Sequence, residues 1–176
     1  LRTQRENHRL ARTDPLTGAF NRRHFFDQLR QEIETHGADP LSVVLMDIDH
    51  FKKVNDTYGH DVGDLVICQV AGLLIHADGV FGRIGGEEFA WLLPRCSEAA
   101  AVEKAERIRR AVEGMTIGTE LGPLNVTCSF GVACRLQAET AGSLVKRADE
   151  ALYGAKHSGR NAVAMASIID GLRNAG

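Results

Sequence analysis

Two pairs of acids stand where apolar runs break off. The run LSVVLMDID (residues 41–49) turns acidic at Asp47 and Asp49, and GRIGGEEF (82–89) sets Glu87 and Glu88 behind two glycines. Two carboxylates about 4 Å apart repel by about 4 kcal/mol at an effective dielectric near 20, a cost that a simpler Gly-Asp turn avoids. A cation is the guest such acids suit. No His or Cys stands at ligand spacing nearby, so the donors are all oxygen, which suits Mg2+ or Mn2+ rather than zinc. Mg2+ held by few carboxylates completes its shell with water and phosphate oxygens.

The residues beside the first acids fit a phosphate-bearing guest. In DHFKKVND, Lys52 follows Asp47 by five residues. A short loop opening a helix offers backbone N–H groups to a phosphate, and a lysine adds a point charge. Further on, Asn55 and Asp64 supply an amide and a carboxylate, the natural pair for the guanine edge with its acceptors and N–H donors. Gly85 and Gly86 let a substrate lie close against backbone. Together these residues suit metal-assisted phosphoryl or nucleotidyl transfer, with two ions clamping the attacking and leaving oxygens.

Such chemistry needs the acids brought together, and the pattern of elements provides for it. Asn21 caps a helix with Phe25, Leu29 and Ile33 on its apolar face, stopped by Gly37. Residues 41–49 read as a buried strand, followed by a helical turn with Phe51 and Val54 and a helix over residues 64–75. VFGRI and EFAWLL flank Gly85-Gly86, a two-residue hairpin signal. Ser97 caps a helix carrying Val102, Ala105, Ile108 and Val112. In NVTCSFGVAC, Val126, Cys128, Phe130 and Val132 point one way and Thr127, Ser129 and Gly131 the other. Leu144, Ala148, Ala151, Leu152 and Ala155 mark a last long helix, stopped by Gly159, and NAVAMA a last strand. This order contains the β-α-β-β-α-β of an α+β, ferredoxin-like fold with one helix-strand unit appended. The expected sheet is mixed and mostly antiparallel, with helices stacked mainly on one face. The first strand then lies beside the hairpin, so that Asp47, Asp49, Glu87 and Glu88 converge.

Bulk properties narrow the classes. A chain of 176 residues, 44% hydrophobic and 25% charged, is most simply one globular domain. A formal net charge of -2 argues against a polymeric nucleic-acid partner. The longest apolar stretch, residues 65–75, is too short to span a bilayer and no signal peptide is visible, so the expected compartment is the cytoplasm, with no direct membrane contact. The four cysteines, Cys68, Cys96, Cys128 and Cys134, form no C-x-x-C pair and read as reduced core thiols. The Arg-rich opening LRTQRENHRLART reads as the end of an exposed helix cut from a longer chain. The expected division is a linker-helix tail over 1–12, a catalytic domain over 13–167 and a C-terminal tail over 168–176.

Four segments in order, DPLTGAFNRR (14–23), DIDHFKKVNDTYGHDVGD (47–64), RIGGEEF (83–89) and ADEALYGAKHSGRN (148–161), resemble the successive motifs of the GGDEF family of diguanylate cyclases. The resemblance implies a palm-type, nucleotidyl cyclase-like sheet surrounded by helices, and the condensation of two GTP into cyclic di-GMP with release of two pyrophosphates. It implies that Asp47, Glu87 and the carbonyl of Ile48 hold Mg2+ or Mn2+, two ions per active half-site. Glu87 accepts the 3′-hydroxyl proton, Glu88 assists, and Lys52 stabilises phosphate charge. Asn55 and Asp64 hold guanine, with His60, Phe51, Gly85 and Gly86 against the nucleotide and Lys156 and Arg160 on its phosphates. Asp14 and the Arg22-Arg23 pair are read as structural, while Asp49 fits either a structural role or the acidic cluster.

One departure from the family pattern stands out. The family's inhibitory R-x-x-D site falls on His76 and Gly79, which supply neither the arginine fork nor the carboxylate, so feedback inhibition there is expected to be weak or absent. The symmetric product implies a second copy of the chain as partner, two copies meeting face to face. An absent N-terminal sensory region, able to carry a membrane anchor, would control that meeting. The rival classes are a non-catalytic nucleotide receptor, which calls for a damaged signature or an intact R-x-x-D, and another nucleotidyl transferase on the same palm.

Overall fold

The computed structural model describes residues 12–166. The expected linker-helix tail, Arg12 apart, and the C-terminal tail lie outside the described residues.

A six-stranded sheet runs in the order β1-β3-β4-β2-β7-β8, formed by β1 (Phe20–Asn21), β2 (Leu41–Ile48), β3 (Val80–Arg83), β4 (Glu88–Pro94), β7 (Cys128–Cys134) and β8 (Val163–Met165). It is parallel where β1 meets β3 and β7 meets β8, and antiparallel between. β2 therefore sits beside β4 of the hairpin, as expected, with β7 on its other side. A two-stranded hairpin of β5 (Ile117–Thr119) and β6 (Gly122–Leu124) stands apart. Neither it nor the two-residue β1 was anticipated, because segments this short carry no periodicity.

The helices are α1 (Arg22–Thr35), α2 (Phe51–Tyr58), α3 (His60–Gly72), α4 (Glu98–Glu113) and α5 (Ala141–His157). The expected caps are in place: Asn21 accepts from the His24 amide and Ser97 from the Ala100 amide. α3 starts at His60 rather than residue 64. Gly59, at φ +86°, breaks the helical path and lets α3 begin one residue after α2 ends.

Helices cover both faces of the sheet, as the family resemblance implies, which corrects the one main face expected from the element order. Val44, Met46, Phe89, Trp91 and Phe130 pack with residues of α3 and α4, among them Val66, Val70, Ala101 and Ala105. On the other face Val43, Leu45, Ala90, Leu92 and Ala133 pack with Phe25 and Leu29 of α1 and Leu144 and Ala148 of α5. Every residue of β2 is buried, which is why its sequence is continuously apolar instead of alternating. Gly131 of β7 lies so close to the backbone of Ala148 and Leu152 that a side chain there would overlap α5.

Candidate active site

The acids of the two segments meet at one end of the sheet. Asp47 is the register partner of Glu88, and the Ile48 amide donates to the Glu87 carbonyl at 3.3 Å. Ile84 and Gly85 both donate to the Glu88 carbonyl, at 2.9 and 3.2 Å, so Gly85, Gly86 and Glu87 form a three-residue tip rather than the expected two-residue turn. Neither Gly85 nor Gly86 has a positive φ. Arg83 braces the tip: its Nε and Nη2 donate to the Gly86 carbonyl at 3.0 and 2.7 Å, and its Nη1 lies 3.2 Å from both Asp14 oxygens. Asp14 also accepts the amide and hydroxyl of Thr17, while Arg22 donates to the Ile84 carbonyl at 3.2 Å. Asp14 and Arg22 are thus bracing residues. Arg23 is exposed.

Asp47 and Asp49 have opposite surroundings. Asp49 is buried and saturated, accepting Thr127 Oγ1 at 2.7 Å, Ser129 Oγ at 2.7 Å and the Asn161 amide at 3.0 Å. Its oxygens are thus committed to the protein's own donors. Asp47 is only 7% exposed, yet its described side-chain partner is Lys156 alone, whose Nζ lies 2.9 Å from Oδ2. Burial raises the Asp47 pKa above the ordinary 3.8; Lys156 pulls it back, and the charges of Glu87 and Glu88 push it up again. Lys156, expected on a phosphate, is the cation resting on Asp47. Among the described residues no three His, Cys, Asp or Glu side chains gather at metal-ligand spacing, so a metal at Asp47 and Glu87 needs carbonyl, water or phosphate oxygens as well.

α2 and α3 form the adjoining wall. His50, at φ +55°, enters α2 without a side-chain cap, and no acid stands in the first turn, where Lys52 is exposed. Its first amides therefore have no capping side chain. Asn55 lies against Gly63: a Cβ at position 63 would overlap Asn55 Oδ1 and crowd the Phe51 ring at 3.2 Å. Asn55 Oδ1 is buried with no hydrogen-bond partner. Phe51, expected against the nucleotide, is a core residue at 8% exposure. His60 and Asp64 are exposed on α3.

Residues 11–162 match the family described as "Diguanylate cyclase, GGDEF domain". The chain belongs to the GGDEF family. It is 47% identical over 162 residues to the response regulator PleD of Caulobacter vibrioides (strain NA1000 / CB15N), covering 88% of this chain and 36% of that protein. It is 42% identical over 167 residues to the probable diguanylate cyclase DgcT of Escherichia coli (strain K12), covering 92% and 37%. Among solved structures, the GGDEF domain of DgcB from Caulobacter crescentus in complex with c-di-GMP superposes with a TM-score of 0.85 at 37% identity, covering 89% of this chain and 93% of that one. The chain spans little more than a third of the curated relatives PleD and DgcT.

Several residues that shape this GGDEF site escaped the sequence reading. Arg83 lies inside the signature segment but was not singled out, although a basic residue beside two acids signals a brace. By alternation Thr127 and Ser129 read only as the second face of a strand, and Thr127 in fact lies just before β7. Two hydroxyls at the start of a buried strand signal a buried acceptor, which is Asp49. Gly63 is the fourth: a glycine inside a helix costs up to about 1 kcal/mol against alanine, and in the first turn of α3 it marks a close approach, here that of Asn55.

Proposed function

We propose that this GGDEF domain condenses two GTP into cyclic di-GMP, releasing two pyrophosphates, as a catalytic module of bacterial second-messenger signalling. The observation that carries the reading is Asp47 of β2 paired in register with Glu88 at the GGEEF tip, buried and in the field of both glutamates with one lysine for company. An under-compensated acidic site of this kind suits a divalent cation. Asp47, Glu87 and the Ile48 carbonyl would hold Mg2+ or Mn2+, two ions per half-site with substrate oxygens completing the shells. The ions supply positive charge against the triphosphate.

The chain's own groups do the rest. Asn55 and Asp64 hold the guanine edge, and the unpaired Asn55 oxygen supports this assignment. His60, Gly85 and Gly86 lie along the nucleotide, and Phe51 supports Asn55 and Gly63 from the core. The uncapped start of α2 and Lys52 take phosphate oxygens. Lys156, in the last turn of α5, and Arg160, just beyond the helix, take others, Lys156 leaving Asp47 to do so. Glu87 accepts the 3′-hydroxyl proton and Glu88 assists. Each chain loads one GTP, and two chains meet face to face so that each 3′-hydroxyl reaches the α-phosphate of the other. A sensory region in a longer, cytoplasmic or membrane-anchored protein governs that meeting. No helix among the described residues is long and apolar enough to cross a membrane.

Feedback inhibition through the family's R-x-x-D site is weak or absent. Gly79 adopts φ +93° with its Cα against the Leu92 carbonyl, so no side chain fits there, and the carboxylate cannot be restored by substitution alone. A cavity of about 300 Å³ beside it holds His76, Asp78, Trp91, Lys104 and Arg107, and its Lys104 already pairs with Asp78 at 3.8 Å. Calorimetry should find no tight product binding that survives substitution in the active site.

Incubation with GTP and Mg2+, followed by chromatography for cyclic dinucleotide and pyrophosphate, tests the main reading. Product should form at a rate per molecule that rises with protein concentration, and Glu87→Gln should abolish it. Failure of the wild-type chain at every concentration would sink the proposal.

A further inference from the structure

Resting on the reading that Arg160 meets the triphosphate, we propose that Asn161 is a positioning residue: clamped by Arg109 and Glu113 of α4 and tied to Asp49 beyond β2, it sets Arg160 for the phosphates. After α5 the chain takes three successive left-handed residues, Gly159 at φ +117°, Arg160 at +62° and Asn161 at +44°. Leaving a helix needs one such residue, and Gly159 supplies it. An arginine in that region is uncommon and persists only where its surroundings hold it.

The holding comes from Asn161. Its amide N–H donates to Asp49 Oδ2 at 3.0 Å, its Oδ1 accepts from Arg109 Nη1 at 2.8 Å, and its Nδ2 donates to Glu113 Oε1 at 2.8 Å. Arg109 closes the ring by donating to Glu113 Oε2 at 3.0 Å and is itself fixed by Glu106 at 2.9 Å. The Arg109 side chain is 14% exposed while that of Glu113 is 49% exposed, so the ring is shielded on its Arg109 side and open to water at Glu113. Arg160, by contrast, is exposed, and among the described residues no hydrogen bond or ion pair holds its side chain. Its backbone amide donates to the Ala155 carbonyl at 3.1 Å, so its place is set by the backbone on either side. Asn161 is therefore the point where α4, the chain after α5 and, through Asp49, the acidic end of β2 are joined.

The test is a double-mutant cycle read on ligand binding by the 176-residue chain. Asn161→Gly keeps left-handed freedom and the bond to Asp49 but removes the side-chain clamp. It should weaken GTP binding about tenfold and guanosine binding less than about twofold, because only the triphosphate reaches Arg160. In an Arg160→Ala background the same substitution should change GTP affinity by less than about twofold. Equal losses for GTP and guanosine, or an undiminished effect in the Arg160→Ala background, would overturn the proposal. Arg109→Gln, which removes one partner of the clamp and serves even where Asn161→Gly does not fold, should weaken GTP about threefold. Unchanged GTP affinity in that variant also overturns it. A wild-type chain that binds no GTP instead sinks the nucleotide reading itself, whereas wild-type binding with unresponsive variants sinks only the role of Asn161.

Discussion

Two buried acids lie towards opposite ends of the sheet, each paired with a base, and they are built differently. Glu139, 9% exposed near the start of α5, accepts the Leu136 amide at 2.9 Å, Ser143 Oγ at 3.0 Å and Arg147 Nη1 at 3.0 Å. Arg147 in turn donates to the Cys134 carbonyl at 3.0 Å. Asp47 at the other end has Lys156 at 2.9 Å and two like charges close by. A carboxylate saturated by donors has nothing left to bind and serves the fold. One that is buried among like charges with a single cation beside it has capacity to spare. Asp49, two residues from Asp47, belongs with Glu139 by this measure.

The largest effects should separate the two ends cleanly. Asp47→Asn should lower cyclic di-GMP formation by roughly 10²–10³-fold while leaving stability within about 1 kcal/mol. Glu139→Gln should do the reverse: urea unfolding should report a loss of roughly 3 kcal/mol, because Arg147 keeps a buried charge that has lost its partner. Turnover per folded molecule should be unchanged. Glu139→Gln with intact stability and lost turnover would break the comparison.

Removing the saturation around Asp49 comes next. Ser129→Ala deletes one of three donors and should cost about 1–2 kcal/mol of stability, measured by urea unfolding. Turnover should fall only as far as the Arg160–Asn161 turn loosens. A loss of turnover as large as that of Asp47→Asn would move Asp49 into the reacting set.

Much of this contrast was legible in the sequence, and the rest was hidden for physical reasons. The convergence of Asp47 with the tip acids could be read because an apolar run ending in acids and a hairpin signal fix adjacent strands in an α+β sheet. Caps at Asn21 and Ser97 are local and were equally readable. Helices on both faces were also written in the unbroken apolar run of β2, which was used to find the strand but not to cover it. The pairing of Lys156 with Asp47 was out of reach, since it joins α5 to β2 through tertiary packing with no local pattern. The same holds for the clamp of Arg109 on Asn161. The core packing of Phe51 was not readable either, because its motif position carries no information on which way the ring turns.

Acidity should sharpen the comparison further. The folded-state pKa of Asp47 is raised by burial and by Glu87 and Glu88, despite Lys156, so its ionisation disfavours the folded state increasingly as pH rises from 3.8 through the raised value. A metal needs the ionised form, so Mn2+ binding, followed by electron paramagnetic resonance, should fade with falling pH at a midpoint above 3.8. Lys156→Met removes the one group that opposes the rise and should move that midpoint higher still.

The smallest effect distinguishes two aspartates that both adjoin the signature tip. Burial pushes the Asp14 pKa up, but the Thr17 hydrogen bonds and the Arg83 guanidinium outweigh it and leave the value below 3.8. Asp14 therefore contributes stability that is present above 3.8 and lost as pH falls through the lowered folded value, the opposite sign to Asp47. Asp14→Asn should cost about 1 kcal/mol near neutrality, and the cost should vanish in acid. Urea unfolding of the variant and wild type across that range measures it. Arg83 keeps its two bonds to the Gly86 carbonyl when Asp14 is neutralised, so the tip should hold and turnover should fall little. If turnover collapsed while stability stayed put, Asp14 would be acting on the reaction rather than on the tip. The boundary between saturated and under-compensated acids would then have to be redrawn through DPLTG as well as through β2.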